Sequence, residues 1–275
     1  MVKPKGHEKI PLELRYLTRH LHKEGRLRVW SVIVTIMGEV AQPDGGEISM
    51  ATLLDICGAL DIEPQAVRTA MSRLSKNGLV IGKREGRIAF YRFSAKGLAD
   101  YKDAAEVIYA APKQIHDWTF AFGAEGTPVK SVQMQFEKNP PLILGGRCYV
   151  WPSEVWEKIS NNMASDLMVF EAHPKDLPTW AYDSVLPQLN YQTCQMISKC
   201  CQALIDGSLM SDHAILARVL LIHFWRRLVL RYPTVEAPLS ASQWPFAKVH
   251  RNIAAVYPLL LEVSKTTNGA EKRFR

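Results

Sequence analysis

Between Glu63 and Val80 the sequence EPQAVRTAMSRLSKNGLV sorts its side chains by chemistry and by spacing at once. Val67, Ala70, Met71 and Leu74 recur at the three- and four-residue steps that bring side chains onto one face of a helix with about 3.6 residues per turn. The other face carries Gln65, Arg68, Thr69, Ser72 and Lys76, with Arg73 beside them. Core packing explains the first set and leaves the second without a purpose. The ends are legible too. Pro64 opens the helix where its missing N–H costs nothing, and Asn77-Gly78 offers a residue able to turn left-handed and stop it.

The neighbours supply the purpose. Upstream, the pattern predicts a helix over about Leu27 to Val40, a Pro-Asp-Gly-Gly break, a short helix over about Ser49 to Leu60 and a tight turn at Asp61-Ile62-Glu63-Pro64. Downstream, LVIGKR and RIAFYRF are β-prone runs joined at Glu85-Gly86, a hairpin with basic residues at its tip. Helix, helix, turn, helix, hairpin is the order of a winged helix-turn-helix. In that architecture the second helix of the motif enters the major groove of DNA and needs amide, guanidinium and hydroxyl groups on its outward face. Gln65, Arg68, Thr69, Ser72 and Arg73 are therefore candidates for base edges, while Lys76, Lys83, Arg84 and Arg87 are candidates for phosphates.

Charge agrees with this placement. The chain of 275 residues carries a net +7. Residues 1–97 hold 16 Lys/Arg against 10 Asp/Glu, and the remainder 18 against 17, so the excess belongs to the first third. Between residues 64 and 97, eight cations (Arg68, Arg73, Lys76, Lys83, Arg84, Arg87, Arg92 and Lys96) face only Glu85. Such an excess suits a polyanion, although an arbitrary charge run is more often a solvated surface.

The segments VIVTIMGEVAQPDGGEISMATLL, VRTAMSRLSKNGLV with GRIAFYRFSAKG, and the later VLLIHFWRRLVLRYP with LSASQWP resemble the PaaX-type repressors of bacterial phenylacetic acid catabolism. The resemblance covers most of residues 26–262 and departs from the family pattern around Trp118 and before Gly25. It implies a homodimeric repressor of three parts, a winged helix, a ferredoxin-like (Cas2-like) α+β domain and a helical C-terminal domain, released from double-stranded operator DNA by phenylacetyl-CoA. The boundaries expected are 1–98 for the DNA-binding domain with its N-terminal extension, 99–113 for a linker helix, 114–180 for the central domain and 181–275 for the helical domain.

The residues of the middle support this organisation independently. DWTFAFG, PLILGGRCYVWP and DLMVFEAH are β-like runs separated by helix-compatible TPVKSVQMQFEKN and PSEVWEKISNN. There is no Gly-rich phosphate loop, nucleophile elbow or His-Glu metal helix, and the chain reads as a regulator that needs no cofactor and no catalytic residue. Asp117 and Asp166, beside strands, admit the alternative of a Cas2-like, metal-dependent nuclease; two acids at strand ends are more often ordinary turn residues.

From about Pro187 the pattern is helical, with Ser211-Asp212 as a capping signal and Pro233 as a stop. In the long helix His223, Arg227 and Arg231 fall at four-residue steps with Arg226 adjacent, a cationic strip able to hold the phosphates of a coenzyme A thioester, with Trp225 or Trp244 near its aryl group. Structural ion pairs account for the same strip. The five cysteines, Cys57, Cys148, Cys194, Cys200 and Cys201, lack paired metal spacing or a disulfide framework and read as buried thiols rather than a redox sensor or metal site. No run of about 18 apolar residues and no signal-peptide core is present, so the expectation is a cytoplasmic protein without a membrane partner.

Overall fold

The computed structural model describes residues 10–23, 27–111, 117–126, 128–137, 139, 141–160, 167–173, 179–185, 191–206, 213–230 and 245–271. The fold is mixed α+β, with two small antiparallel sheets among the helices. It comprises two compact units: Met1–Glu106 with Lys199–Trp225 and Ala255–Arg275, and Val107–Ser198 with Arg226–Ala254.

The first unit begins with α1 (Leu12–Lys23), which turns Leu14, Leu17 and Leu21 inward at helical spacing. Next comes α2 (Val29–Ile36), shorter than the expected Leu27–Val40 helix because the chain widens into a π turn at Met37–Ala41 and tightens into a 3-10 turn at Gln42–Asp44. The wide turn carries Glu39 into the interior, where its carboxylate accepts a hydrogen bond from Arg218. Strand β1 (Glu47–Ser49) leads into α3 (Met50–Ala59), capped by the Ser49 hydroxyl accepting from the Thr52 N–H at 3.0 Å.

Asp61, with φ 56°, makes the turn into α4 (Pro64–Lys76). That helix ends in a Schellman motif: Leu79 N–H donates to the Leu74 carbonyl and Gly78 N–H to the Ser75 carbonyl, both at 3.0 Å, with Gly78 at φ 69°. Strands β2 (Val80–Glu85) and β3 (Ile88–Phe93) pair with Glu85 opposite Ile88, so Gly86-Arg87 is a two-residue turn. Gly86 takes φ 60° at the position where a type II′ turn calls for glycine. The sheet order is β1-β3-β2. Ser94 then joins three elements: its hydroxyl donates to the Gly78 carbonyl at 2.6 Å and accepts from Gly97 N–H at 3.0 Å, starting α5 (Ala95–Ile108) from the end of α4.

In the second unit, β4 (Trp118–Gly123), α6 (Val129–Gln135), β5 (Leu142–Leu144), β6 (Cys148–Pro152), α7 (Ser153–Ile159) and β7 (Leu167–Ala172) follow in a β-α-β-β-α-β order. The sheet order is β5-β6-β4-β7 with every neighbouring pair antiparallel. The run PLILGGRCYVWP, read as one β segment, folds back at Gly145-Gly146-Arg147 into two strands. One face of the sheet packs Ala121, Tyr149 and Trp151 against Val132 and Phe136 of the α6 side, with the Trp151 ring 4.7 Å from Phe136 and 5.1 Å from Trp156 of α7.

Helices α8 (Thr179–Val185), α9 (Tyr191–Ile205), α10 (Ala214–Val229) and α11 (Pro245–Glu271) complete the chain. Ser211, Asp212 and Pro233, the expected punctuation of α10, lie outside the described residues. No helix among the described residues is long and apolar enough to cross a membrane.

Candidate nucleic-acid interface

Helix α4 divides as its sequence requires. Val67, Ala70, Met71 and Leu74 are buried, whereas Gln65, Arg68, Thr69, Ser72, Arg73 and Lys76 are all exposed. The burial stripe fixes the rotation of the helix about its axis, because turning Arg68 inward would pull Val67 or Met71 into water at about 1.5–3 kcal/mol each. Thr69 has committed its hydroxyl proton to the Gln65 carbonyl at 2.8 Å, so only its acceptor lone pairs face outward. Gln65, Arg68, Ser72 and Arg73 point outward from successive turns of one rigid element.

The hairpin adds charge unevenly. Lys83, Arg84 and Arg87 are all exposed. The Lys83 ammonium lies 2.7 Å from Glu47 and 3.0 Å from Glu85, and these hydrogen bonds, Glu47 first, raise its pKa. Glu47 also reaches Arg92 at 3.9 Å. Lys83 thus belongs to a surface ion-pair network that links the hairpin to β1, a place its position in a basic run did not disclose. Arg84 and Arg87 lie outside that network and supply the positive tip.

The cationic strip expected on α10 comes apart along its length. His223 is buried, and its Nδ1 lies 3.2 Å from the Thr35 hydroxyl of α2. Trp225 is a core residue, 2% exposed. Arg226 is half-buried and Arg227 exposed, so these two remain within reach of a solute; burial lowers the Arg226 pKa, with Arg227 adding to the shift and Tyr109 opposing it. Arg231 and Trp244 lie outside the described residues.

The buried cation of α10 is instead Arg218, which the sequence reading did not single out. Its Nε donates to Glu39 Oε2 at 3.0 Å and its Nη1 donates to the Ser264 hydroxyl, which donates onward to the Leu261 carbonyl. Glu39 and Arg218 are 1% and 4% exposed. The one local clue was a lone glutamate inside an apolar helical run; its partner stands 179 positions away, beyond any periodicity argument.

Asp117 is exposed and pairs with His173 at 2.9 Å, and Asp166 lies outside the described residues. All five cysteines are buried thiols, as their spacing implied.

Taken together, the first unit is a small three-stranded and helical module presenting one polar, cationic helix face beside a cationic hairpin, the class of surface that receives a polyanion. A family model described as "PaaX-like protein" matches residues 28–97, which run from just before α2 into the start of α5. Transcriptional repressor PaaX of Escherichia coli (strain K12) is 27% identical over 235 residues, covering 78% of this chain and 74% of that protein. The chain is thus similar to the PaaX-like family over residues 28–97 and, at lower identity, to the Escherichia coli repressor over most of its length. Among solved structures, the uncharacterized protein Rv0674 from Mycobacterium tuberculosis aligns over 86% of this chain and 97% of its own, with 14% identity and a TM-score of 0.46.

Proposed function

We propose that the protein is a transcriptional repressor that binds double-stranded operator DNA through a winged helix-turn-helix, with α3 and α4 as the motif and the β2–β3 hairpin as the wing. The observation that carries this reading is the exposure of all seven polar positions of α4, Gln65, Arg68, Thr69, Ser72, Arg73, Ser75 and Lys76, opposite a completely buried apolar stripe. The outer face carries Gln, Arg, Thr and Ser on consecutive turns. These are the groups that read base edges in a major groove, Arg forking onto guanine and Gln onto adenine. The name of the Escherichia coli relative supports repression as the outcome of binding. On this reading the protein is a regulator rather than an enzyme, and it works in the cytoplasm, where its operator is.

Deeper in the reading, the β-α-β-β-α-β unit is a ferredoxin-like, Cas2-like domain, and the protein acts as a homodimer on a twofold operator of aromatic (phenylacetic acid) catabolism genes. An aryl-CoA, phenylacetyl-CoA first among them, releases it from DNA. Arg226 and Arg227 are the described residues best suited to the effector's phosphates, since guanidinium groups at a surface pair with phosphate oxygens in fork geometry. An effector acts only through its different affinity for the DNA-bound and free states, so Arg227→Ala should leave operator affinity nearly intact while blunting release. Gel shifts with increasing phenylacetyl-CoA, alongside melting curves with the same ligand, test both halves: a stabilised protein that releases DNA supports the reading. A protein that binds duplex yet neither melts higher nor lets go removes this effector from it.

A further inference from the structure

We propose that α1, which precedes the span matched by the family model, is a second DNA-contacting element that grips the sugar-phosphate backbone beside the site occupied by α4. The inference rests on the DNA-binding reading above. Arg15, Arg19 and Lys23 stand four residues apart on the outer face of α1, all exposed, with Tyr16 exposed beside them. Among the described residues no carboxylate pairs with any of the three cations. The acid of this helix, Glu13, lies toward Cys200, whose pKa it helps to raise after burial itself.

The position of the helix selects the ligand. The Leu60 carbonyl, at the C-terminal end of α3, accepts a hydrogen bond from His22 Nε2 at 2.8 Å, and the next residue, Asp61, begins the turn into α4. The cationic end of α1 is thereby tied to the turn that sets the start of the recognition helix. Four residues of helix rise about 6 Å, so the three cations spread over about 12 Å of α1, long enough to meet more than one phosphate of a backbone that carries a charge about every 3.4 Å of duplex axis on each strand. Leu14, Leu17 and Leu21 are all committed to the interior and only Leu12 and Tyr16 stay exposed among the large apolar residues of α1, too small a patch for the broad apolar face that insertion into a lipid surface requires. A duplex is the polyanion that fits: contacts of this kind fix register and add affinity without reading sequence.

The test uses the full chain and a variant carrying Arg15→Gln, Arg19→Gln and Lys23→Gln, all surface changes, with melting curves to establish that it folds. Binding to a random-sequence duplex about three helical turns long is measured across a salt series. Each lost phosphate contact lowers the slope of log affinity against log salt by about 0.9, so the variant should lose between about 1 and 3 from the wild-type slope. Its preference for a selected site over random duplex should stay the same. A folded variant with the wild-type slope overturns the role of α1 and leaves the DNA-binding reading standing. A wild-type protein with no affinity for duplex overturns both.

Discussion

At the scale of single residues, two arginines and a lysine that look alike in sequence are expected to behave differently. Arg68 projects from the middle of α4, so Arg68→Ala should cost roughly 1–3 kcal/mol on the operator and relax preference at one base pair, read by competition between operator and mismatched duplexes. Arg87→Ala should weaken all duplexes alike. Lys83→Ala should weaken them less than Arg87→Ala does, because the Lys83 charge is already matched by Glu47 and Glu85; equal salt-dependent losses for the two would show that the network opens on DNA. The thiols make a separate prediction. Their ordinary pKa is 9.0, and burial pushes Cys57, Cys194 and Cys200 up to about 12 and Cys148 to about 11. The folded protein keeps protons that the unfolded chain gives up, so this contribution to stability is fully present below pH 9.0 and lost as pH rises toward about 12. A thiol reagent at pH 8 should label the native protein slowly and the urea-unfolded protein at all five cysteines; rapid labelling of the native protein would contradict the buried-thiol account.

At the scale of elements, what the sequence made legible and what it concealed follow a physical division. Helix α4 was readable to its last residue because everything that defines it is local: Pro64 at one end, Gly78 in a left-handed conformation at the other, and an apolar stripe between. The hairpin was readable for the same reason. The π turn at Met37–Ala41 was not, and the bond its Glu39 accepts comes from Arg218, a partner far along the chain. The strip on α10 failed similarly: periodicity aligns His223 with Arg227 but says nothing of Thr35, which stands 3.2 Å from His223 in the interior. The buried Glu39–Arg218 pair should be costly to break and cheap to replace. Glu39→Gln or Arg218→Met alone leaves one charge buried without its counter-ion and should lose about 3–5 kcal/mol, while Glu39→Met with Arg218→Met should recover most of that in urea denaturation. A double variant no better than the single ones would assign the pair a role in folding that apolar packing cannot supply. Ser94→Ala removes both the cap of α5 and its tie to Gly78 and should cost about 1 kcal/mol or somewhat more by the same measurement.

At the scale of the whole molecule, one helix of 13 residues touches too few base pairs to address a genome, so the proposed repressor needs two copies of α4 on one duplex. Closed twofold pairing of identical chains turns that need into a symmetric operator. The central claim, that α4 reads DNA sequence, is tested most directly by selecting binding sites from a pool of random duplexes with the wild-type chain and with Arg68→Ala in parallel. The account predicts that the wild-type protein enriches an inverted repeat whose half-sites lie about one helical turn, or a multiple of it, apart, and that Arg68→Ala enriches the same repeat with one symmetric pair of positions degenerate. Enrichment of no motif by the wild-type protein, or of an identical motif by both, would contradict it.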